Sequence, residues 1–256
     1  MSSENLNTLG EKTPEMNELQ KQKFDLVTKN LQKWQGRDEW FFNREHTDTY
    51  ELYYEGPYKR AEVWQKKILA SLIKKDERVK TLLEFGCGTT RFTRWWHEIG
   101  IEASGGDISP FMLGHGAHLF DGDLVLADSH HMPFKDHTFD ALAFIATFEY
   151  YKDPVAVIRE AVRVGKYGIV FGMMNRNTTK LIRRRVQQVF GKNPFYVTAN
   201  FYTPHTLTKV IDEALKGRDY TITWKTTGLP KWFPVQQWNM TYGDFFGLHV
   251  QLNDVE

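Results

Sequence analysis

The segment Leu82–Phe92 (LLEFGCGTTRF) holds residues whose types and spacing suit the binding of a nucleotide or nucleoside. Gly86 and Gly88 let the backbone turn sharply and let a ligand approach main-chain atoms closely. The dinucleotide-binding fingerprint also requires glycine at the sixth position counted from Gly86, where this chain has Arg91. A phosphate-binding loop is excluded as well, because no Gly-Lys-Ser/Thr follows the glycines.

Three acidic residues fall at the ends of three consecutive predicted strands. Glu84 lies just before the glycines, where a carboxylate suits an ammonium group better than a diphosphate. Asp107 ends the second strand and can accept hydrogen bonds from ribose hydroxyls, and Asp128 ends the third and can accept one from the amine of adenine. Each acid alone could instead cap a helix, as Asp107 could before Ser109. Together they favour a ligand with a cationic amino-acid end and a nucleoside end.

The predicted elements that position these residues alternate between strands and helices. Strands are predicted at 80–85, 102–107, 124–127, 139–145, 167–174, 220–225 and 245–252. Helices are predicted at 59–74, 90–99, from 109, 153–164 and 206–216. This order is typical of a mainly parallel α/β sheet with helices on both faces, which binds ligands at the carboxyl ends of its strands.

Four motifs, in order, resemble those of the class I S-adenosylmethionine-dependent methyltransferases, in particular the ubiquinone/menaquinone-biosynthesis-like group. LLEFGCGTTRF resembles the first motif, GGDISPFML the second, ADSHHMPFKDHTFD the adenine-binding stretch, and ALAFIATFEYYKDPVAVIREAVRVGKYG the fourth strand and the helix after it. The likeness is close over about residues 78–174. It departs from the family at Thr90, where glycine is usual, and we expect the Thr90 side chain to face the methionine end of the cofactor.

The resemblance implies a Rossmann-like, doubly wound sheet of seven strands, mainly parallel with an antiparallel last strand. It also implies S-adenosylmethionine as the cofactor, with Glu84 at the methionine amino group, Asp107 at the ribose and Asp128 at the adenine. The complete set of cofactor-binding residues that it implies is Glu84, Gly86, Cys87, Gly88, Asp107, Ile108, Asp128, Ser129, Ile145 and Ala146.

A methyl acceptor that carries a proton at the working pH needs a general base. Glu149 and Tyr150, which follow the fourth predicted strand, are the candidate catalytic residues, although Glu149 could also be a surface carboxylate. His130 and His131 are further candidates, with a solvent-facing loop as the alternative. No His or Cys cluster has zinc-like spacing, so we expect no metal site.

Aromatic residues make up 14% of the chain and concentrate outside the predicted sheet, at about 38–58, 175–204 and 228–244. We expect these segments to form an aromatic-rich cap, which favours a small-molecule acceptor that is apolar, aromatic or cationic. Packing between cap and core is the alternative. The candidate substrate-binding residues are Tyr58, Tyr150, Tyr202, Trp232 and Trp238.

A basic patch, Lys180 with Arg183–Arg185, lies on a predicted helix. It could dock RNA, an acidic protein or a lipid surface, or it could be a solvated helix face. The corresponding alternative function is an RNA or protein methyltransferase. Nucleic acid is disfavoured, because RNA methyltransferases of related folds often have Asn/Asp-Pro-Pro-Tyr/Phe where this chain has Ala146–Glu149. A non-catalytic S-adenosylmethionine-binding module, suggested by Thr90, is the third alternative.

Composition is ordinary for a globular protein, with 256 residues, 41% hydrophobic residues and a net charge of +1. The single cysteine, Cys87, excludes an intramolecular disulfide and favours a reducing compartment. The polar N-terminus is not a signal peptide, and no apolar run is long enough to span a membrane. We expect a cytoplasmic protein with an N-terminal tail and helix at 1–37 and a methyltransferase domain at 38–256. The acceptor and the oligomeric state stay open.

Overall fold

The computed structural model describes residues 39–44, 47, 50–51, 59–178, 180, 183, 185–186, 189–190, 198–227 and 239–254. The predicted N-terminal tail and helix at 1–37 and much of the predicted cap lie outside these residues. Tyr58, Trp232 and Trp238 lie outside them too. No helix within the described part of the chain is long and apolar enough to cross a membrane.

Strands and helices alternate along the described residues in the predicted order. The strands are β1 (Thr81–Phe85), β2 (Glu102–Asp107), β3 (Leu124–Leu126), β4 (Phe139–Ile145), β5 (Gly165–Met174), β6 (Tyr220–Thr227) and β7 (Phe245–Leu252). The α-helices are α1 (Lys59–Ile73), α2 (Arg91–Glu98), α3 (Pro110–Leu119), α4 (Pro154–Val164) and α5 (Pro204–Ala214), with short 3₁₀ turns at Trp40–Phe42 and Phe148–Tyr150. The ends of these elements differ from the predicted ends by two residues at most.

The strands form one sheet in the order β3-β2-β1-β4-β5-β7-β6. Every pair from β3 to β5 is parallel, whereas β7 runs antiparallel to both of its neighbours, β5 and β6. The predicted seven-stranded, mainly parallel sheet with an antiparallel last strand is therefore confirmed. The strand order reverses between β1 and β4, and open α/β sheets bind ligands at the carboxyl ends of the strands at such a switch point.

Helices cover both faces of the sheet because neighbouring residues of a strand point to opposite sides. In β1, Leu82 packs with residues of α1 and α2, such as Ile73 and Trp96. Leu83, the next residue, packs on the other side with residues of α4 and α5, such as Ile158. The sheet is therefore doubly wound. Its two faces are covered by helices, so a binding site can form only where the strands end.

Three helices begin at a capping side chain followed by proline. Ser109 accepts a hydrogen bond from Met112 N at the start of α3, and Asp153 accepts one from Ala156 N at the start of α4. Thr203 forms a capping box with Thr206 at the start of α5. Because Ser109 caps α3, the alternative in which Asp107 serves as that cap does not apply.

Candidate functional site

A cavity of about 230 Å³ lies at the carboxyl ends of β1, β2 and β4. All ten residues that the sequence predicts as cofactor contacts line it. They come from four places far apart in sequence: the loop after β1, the end of β2, the loop after β3 and the end of β4. The structure therefore brings the predicted set together, and each residue's contact with the cofactor stays a prediction.

The glycine loop after β1 depends on backbone geometry that glycine allows. Gly86 has φ +78° and Gly88 has φ +54°, which is the left-handed region that favours glycine. A Cβ atom at Gly86 would lie 2.1 Å from Thr147 Oγ1, so the turn after β4 packs directly on this glycine. The loop is thus clamped between β2 and β4 while its backbone faces the cavity.

Thr90 also adopts the left-handed conformation, with φ 64°. Its side chain is fully buried, and its hydroxyl donates a hydrogen bond to Thr89 O at 2.6 Å. A Cβ at Gly116 on α3 would lie 2.7 Å from Thr90 Cγ2, so the threonine occupies space that Gly116 leaves. The prediction that Thr90 faces the methionine end was wrong: the side chain packs against α3, and Thr90 is not among the residues that line the cavity.

Glu84 is a buried carboxyl group at the cavity wall, 1% exposed. Thr93 Oγ1 donates a hydrogen bond to its Oε2 at 2.7 Å. Burial raises the pKa of Glu84 to about 8; the hydrogen bond from Thr93 opposes that rise and the charge of Asp107 adds to it. A cation placed beside this group would favour its ionised form, so its environment fits the ammonium end of S-adenosylmethionine.

Asp107 connects the glycine loop to the start of α3 through hydrogen bonds. Its two carboxylate oxygens accept hydrogen bonds from Ser109 N and Gly88 N, each at 2.8 Å. Burial raises the pKa of Asp107 to about 6, and these backbone hydrogen bonds oppose the rise. Each carboxylate oxygen has a second lone pair, which fits a ribose hydroxyl donor.

Asp128 orients His130 in the loop after β3. Its Oδ1 lies 2.7 Å from His130 Nδ1 and accepts a hydrogen bond from His130 N at 3.0 Å. Tyr151, half-buried beside them, hydrogen-bonds with Ser129 and Thr147, and desolvation of its hydroxyl raises its pKa. Among the described residues, no group of three or more His, Cys, Asp and Glu side chains could hold a metal ion.

Glu149, a predicted catalytic residue, is directed away from the cavity. Its side chain is 2% exposed, and Oε1 accepts a hydrogen bond from Met174 N at 2.9 Å. Its backbone oxygen accepts another from Asn200 N at 2.7 Å. Glu149 therefore ties the turn after β4 to the end of β5 and does not line the cavity, whereas its neighbour Tyr150 does.

Tyr202, a predicted substrate-binding residue, also lies outside the cavity lining. Its ring packs on Phe148, with 5.9 Å between ring centroids. Its backbone oxygen accepts a hydrogen bond from Arg176 N at 2.7 Å. Tyr202 thus joins the segment before α5 to the core. This agrees with the alternative that the aromatic residues of the cap pack against the core.

An aromatic wall, formed by Trp40, Phe41, Tyr50 and Tyr150, lines the cavity next to the glycine loop. Trp40 stacks on Tyr50 with 5.5 Å between ring centroids, and Tyr150 meets Trp40 and Phe41 edge-on at 6.1 and 5.8 Å. The aromatic density at 38–58 indicated this region. Trp40, Phe41 and Tyr50 were not among the predicted substrate-binding residues, because their approach to the cavity depends on long-range folding.

The cover segment, which comprises the described residues 39–44, 47 and 50–51, is attached to the loops of the cavity by polar contacts. Ser109 Oγ donates a hydrogen bond to Phe41 O, and Thr89 Oγ1 donates one to Glu51. Glu51 also pairs with Arg91 at 2.5 Å, and Arg91 pairs in turn with Glu62 of α1 at 2.9 Å. Arg91 therefore links the start of α2 to two acidic residues, only one of which belongs to the cover segment.

Known proteins resemble this chain in sequence over part of its length. Residues 83–171 match the family described as "Methyltransferase domain". A demethylmenaquinone methyltransferase of Thermotoga maritima is 29% identical over 106 residues, which is 40% of this chain and 45% of that protein. An uncharacterized protein of Methanocaldococcus jannaschii is 28% identical over 134 residues, 51% of this chain and 62% of that protein. The matches thus span less than two thirds of either relative.

The fold resembles solved structures over most of the chain. The structure of an S-adenosylmethionine-dependent methyltransferase of Thermotoga maritima, "possible histamine N-methyltransferase", superposes with a TM-score of 0.66. It is 20% identical and covers 83% of this chain and 98% of its own. At this identity the likeness shows the fold, and the family match adds the domain type. Residues 83–171 of the chain therefore match a methyltransferase domain, and the chain shares its fold with a solved S-adenosylmethionine-dependent methyltransferase.

Proposed function

We propose that this protein transfers a methyl group from S-adenosylmethionine to a small-molecule acceptor that is apolar, aromatic or cationic. One observation carries the proposal: the predicted cofactor residues and the aromatic wall line the same cavity. An enclosed site of this kind orients two reactants and excludes water, which are the contributions a protein makes when its cofactor supplies the reactivity.

The cofactor half of the cavity lies around the glycine loop. We expect Glu84 to pair with the methionine ammonium, the backbone of Gly86 to Gly88 to contact the methionine end, and Asp107 to accept hydrogen bonds from the ribose. Asp128 and Ser129 would meet the adenine edge. When bound, S-adenosylmethionine supplies a methyl group activated by its sulfonium centre. The residues of this chain hold and orient it.

The acceptor half is the aromatic wall. Aromatic faces bind flat rings by stacking and cations through the negative face of the ring, so both types of acceptor fit. An acceptor that carries a proton would pass it to a group at the cavity. Tyr150 and His130 line the cavity and replace Glu149 as the candidates for that role.

Two measurements test the function. Calorimetry with S-adenosylmethionine and S-adenosylhomocysteine should show one site per chain. Transfer of a labelled methyl group should then occur to one class in a panel that includes a demethylmenaquinol and an aromatic amine such as histamine, chosen from the names of the similar proteins. Asp107→Ala is the control, because it removes a proposed ribose contact. Absence of binding at millimolar cofactor would refute the proposal.

Of the two alternatives, only RNA or protein methylation has an observation in its favour among the described residues, which is the exposure of Arg183 and Arg185. RNA or protein methylation would need a docking surface beside the cavity, and a non-catalytic module would need a residue that blocks it. Thr90, the residue that suggested such a module, does not line the cavity. The cytoplasmic location stays a prediction, and the oligomeric state stays open.

A further inference from the structure

The basic helix, which comprises the described residues 183, 185–186 and 189–190, is not used by the proposed methyl transfer. Arg183, Arg185, Val186 and Val189 have helical backbone, and Phe190 N donates a hydrogen bond to Val186 O at 3.1 Å. All five side chains are exposed. The sequence presents this region as a basic patch, and the structure adds exposed apolar residues to it.

These apolar residues are large and well exposed: Val186 is 46% exposed, Val189 80% and Phe190 68%. They account for half of the exposed large hydrophobic side chains in the described part of the chain. Scattered exposed apolar residues need no explanation, but a cluster within five positions marks an interaction surface. The surface therefore calls for a partner that buries apolar groups.

The angular order of the side chains around the helix identifies the kind of partner. At about 100° per residue, Val189, Val186 and Phe190 fall within an arc of about 100°, with Arg185 about 40° beyond one edge and Arg183 about 20° beyond the other. An apolar arc bordered by arginines on both sides is the pattern of a helix that lies in the interface of an anionic bilayer.

The position of the basic helix relates it to the cavity. It follows β5, whose carboxyl end lies at the same edge of the sheet as the cavity. Lys180 pairs with Asp244, and Asn175 N donates a hydrogen bond to Asp244 O at 2.9 Å. Lys180 therefore anchors this segment to the chain before β7, while Arg183 and Arg185 have no ion pair among the described residues.

We infer that the basic helix binds an anionic lipid surface, with its valines and Phe190 between the headgroups and its arginines at the lipid phosphates. RNA would also attract Arg183 and Arg185, but it gives exposed valines no apolar environment. The apolar arc is the observation that favours lipid. This surface binding is separate from the methyl transfer and does not depend on which acceptor is used.

Co-sedimentation of the full chain with vesicles tests the inference. Vesicles of phosphatidylcholine with a quarter phosphatidylglycerol should retain the protein, and vesicles of phosphatidylcholine alone should retain about tenfold less at 0.1 M salt. Arg183→Gln/Arg185→Gln and, separately, Val186→Ser/Val189→Ser should each lower retention about tenfold. Matched controls are Lys209→Gln/Lys216→Gln, which removes equal charge from other exposed positions, and Val63→Ser on α1, where Val63 is 48% exposed.

Three results would overturn the inference: no retention of the wild-type protein by anionic vesicles, retention unchanged in both double variants, or an equal loss in the controls. A loss of single-stranded RNA binding in the arginine variant alone, without vesicle binding, would assign the surface to nucleic acid instead. Binding of S-adenosylhomocysteine, measured on every variant, shows whether the fold is intact and keeps a failure of this inference distinct from a failure of the proposed function.

Discussion

Glu84 is almost fully buried at the cavity wall, and the pKa of its carboxyl group is about 8. Below that pH the free protein holds a proton on Glu84 and must release it to pair with an ammonium group. The α-amino group of the ligand is an amino-acid ammonium, which loses its proton only at higher pH, so the cation persists while Glu84 ionises.

We predict that the affinity for S-adenosylhomocysteine rises with pH until Glu84 is ionised, near pH 8. It should rise about tenfold per pH unit on the acidic side, because binding there releases one proton. Calorimetry in buffers of different ionisation enthalpy at pH 6.5 measures that proton directly. In Glu84→Gln the acidic limb should be flat. A steep acidic limb in this variant would assign the proton to another group.

The same pKa shift makes a second prediction, for stability. The pKa of Glu84 is higher in the folded protein (about 8) than its ordinary value of 4.5, so between these values the folded state binds a proton that the unfolded state has lost. The free energy of unfolding therefore falls as the pH rises through this window. Glu84→Gln should be more stable than the wild type by about 4 kcal/mol at pH 8.5 and nearly equal at pH 4.5, as measured by urea unfolding without ligand.

At the scale of elements, the contact of Thr90 with Gly116 joins the glycine loop to α3. Gly116→Ala should destabilise the protein by about 1–3 kcal/mol, because the new Cβ meets the threonine. In Thr90→Gly/Gly116→Ala the new Cβ at position 116 no longer meets a threonine side chain. The double variant should therefore lose less free energy of unfolding than the sum of the losses in the two single variants. Urea unfolding of all four proteins completes the cycle. Additive effects would show that the two residues do not interact.

The cover segment gives another element-scale prediction. Glu51→Gln weakens the contacts of this segment with Thr89 and Arg91, so S-adenosylhomocysteine should dissociate about tenfold faster, by loss of about 1.4 kcal/mol from the closed form. Stopped-flow displacement measures the rate. Glu62→Gln is the matched control, because Glu62 also pairs with Arg91 but belongs to α1. Equal acceleration in both variants would mean that Arg91, not the segment, governs release.

Local patterns in the sequence predicted the sheet and a set of residues that the structure brings together at one cavity. Strand ends such as Asp107 follow from the alternation of elements, and parallel strands bring such ends to one edge. The direction of Glu149 could not be predicted, because a 3₁₀ turn of three residues decides whether 149 or 150 faces the cavity. The role of Trp40 was equally hidden, since its partner Tyr150 lies far along the chain.

At the scale of the whole molecule, protonation of the His249 ring is coupled to opening of the sheet. It lies in β7, opposite Val170 of β5 and Thr223 of β6, and is 2% exposed. Burial lowers the pKa of His249 to about 4, although Asp76 opposes this. The ring therefore gains a proton readily only when the sheet opens.

We predict a loss of stability in acid that His249 controls. Between its ordinary pKa of 6.5 and the folded value of about 4, the unfolded state binds the extra proton, so stability falls as the pH decreases. The slope from this residue alone is about 1.4 kcal/mol per pH unit at most. His249→Gln should lack this contribution. Thermal melts of both proteins from pH 7 to pH 4.5 test it, and parallel curves would contradict it.

The cover segment also constrains the order in which the chain can mature on the ribosome. Residues 39–51 are synthesised before every loop they touch: the partner of Phe41, Ser109, comes 68 residues later, and Tyr150 comes later still. During vectorial synthesis the contacts of Trp40 and Phe41 with Tyr150 must wait until β4 has emerged and joined the sheet. Closure of the cavity therefore follows the synthesis of β4 and of Tyr150.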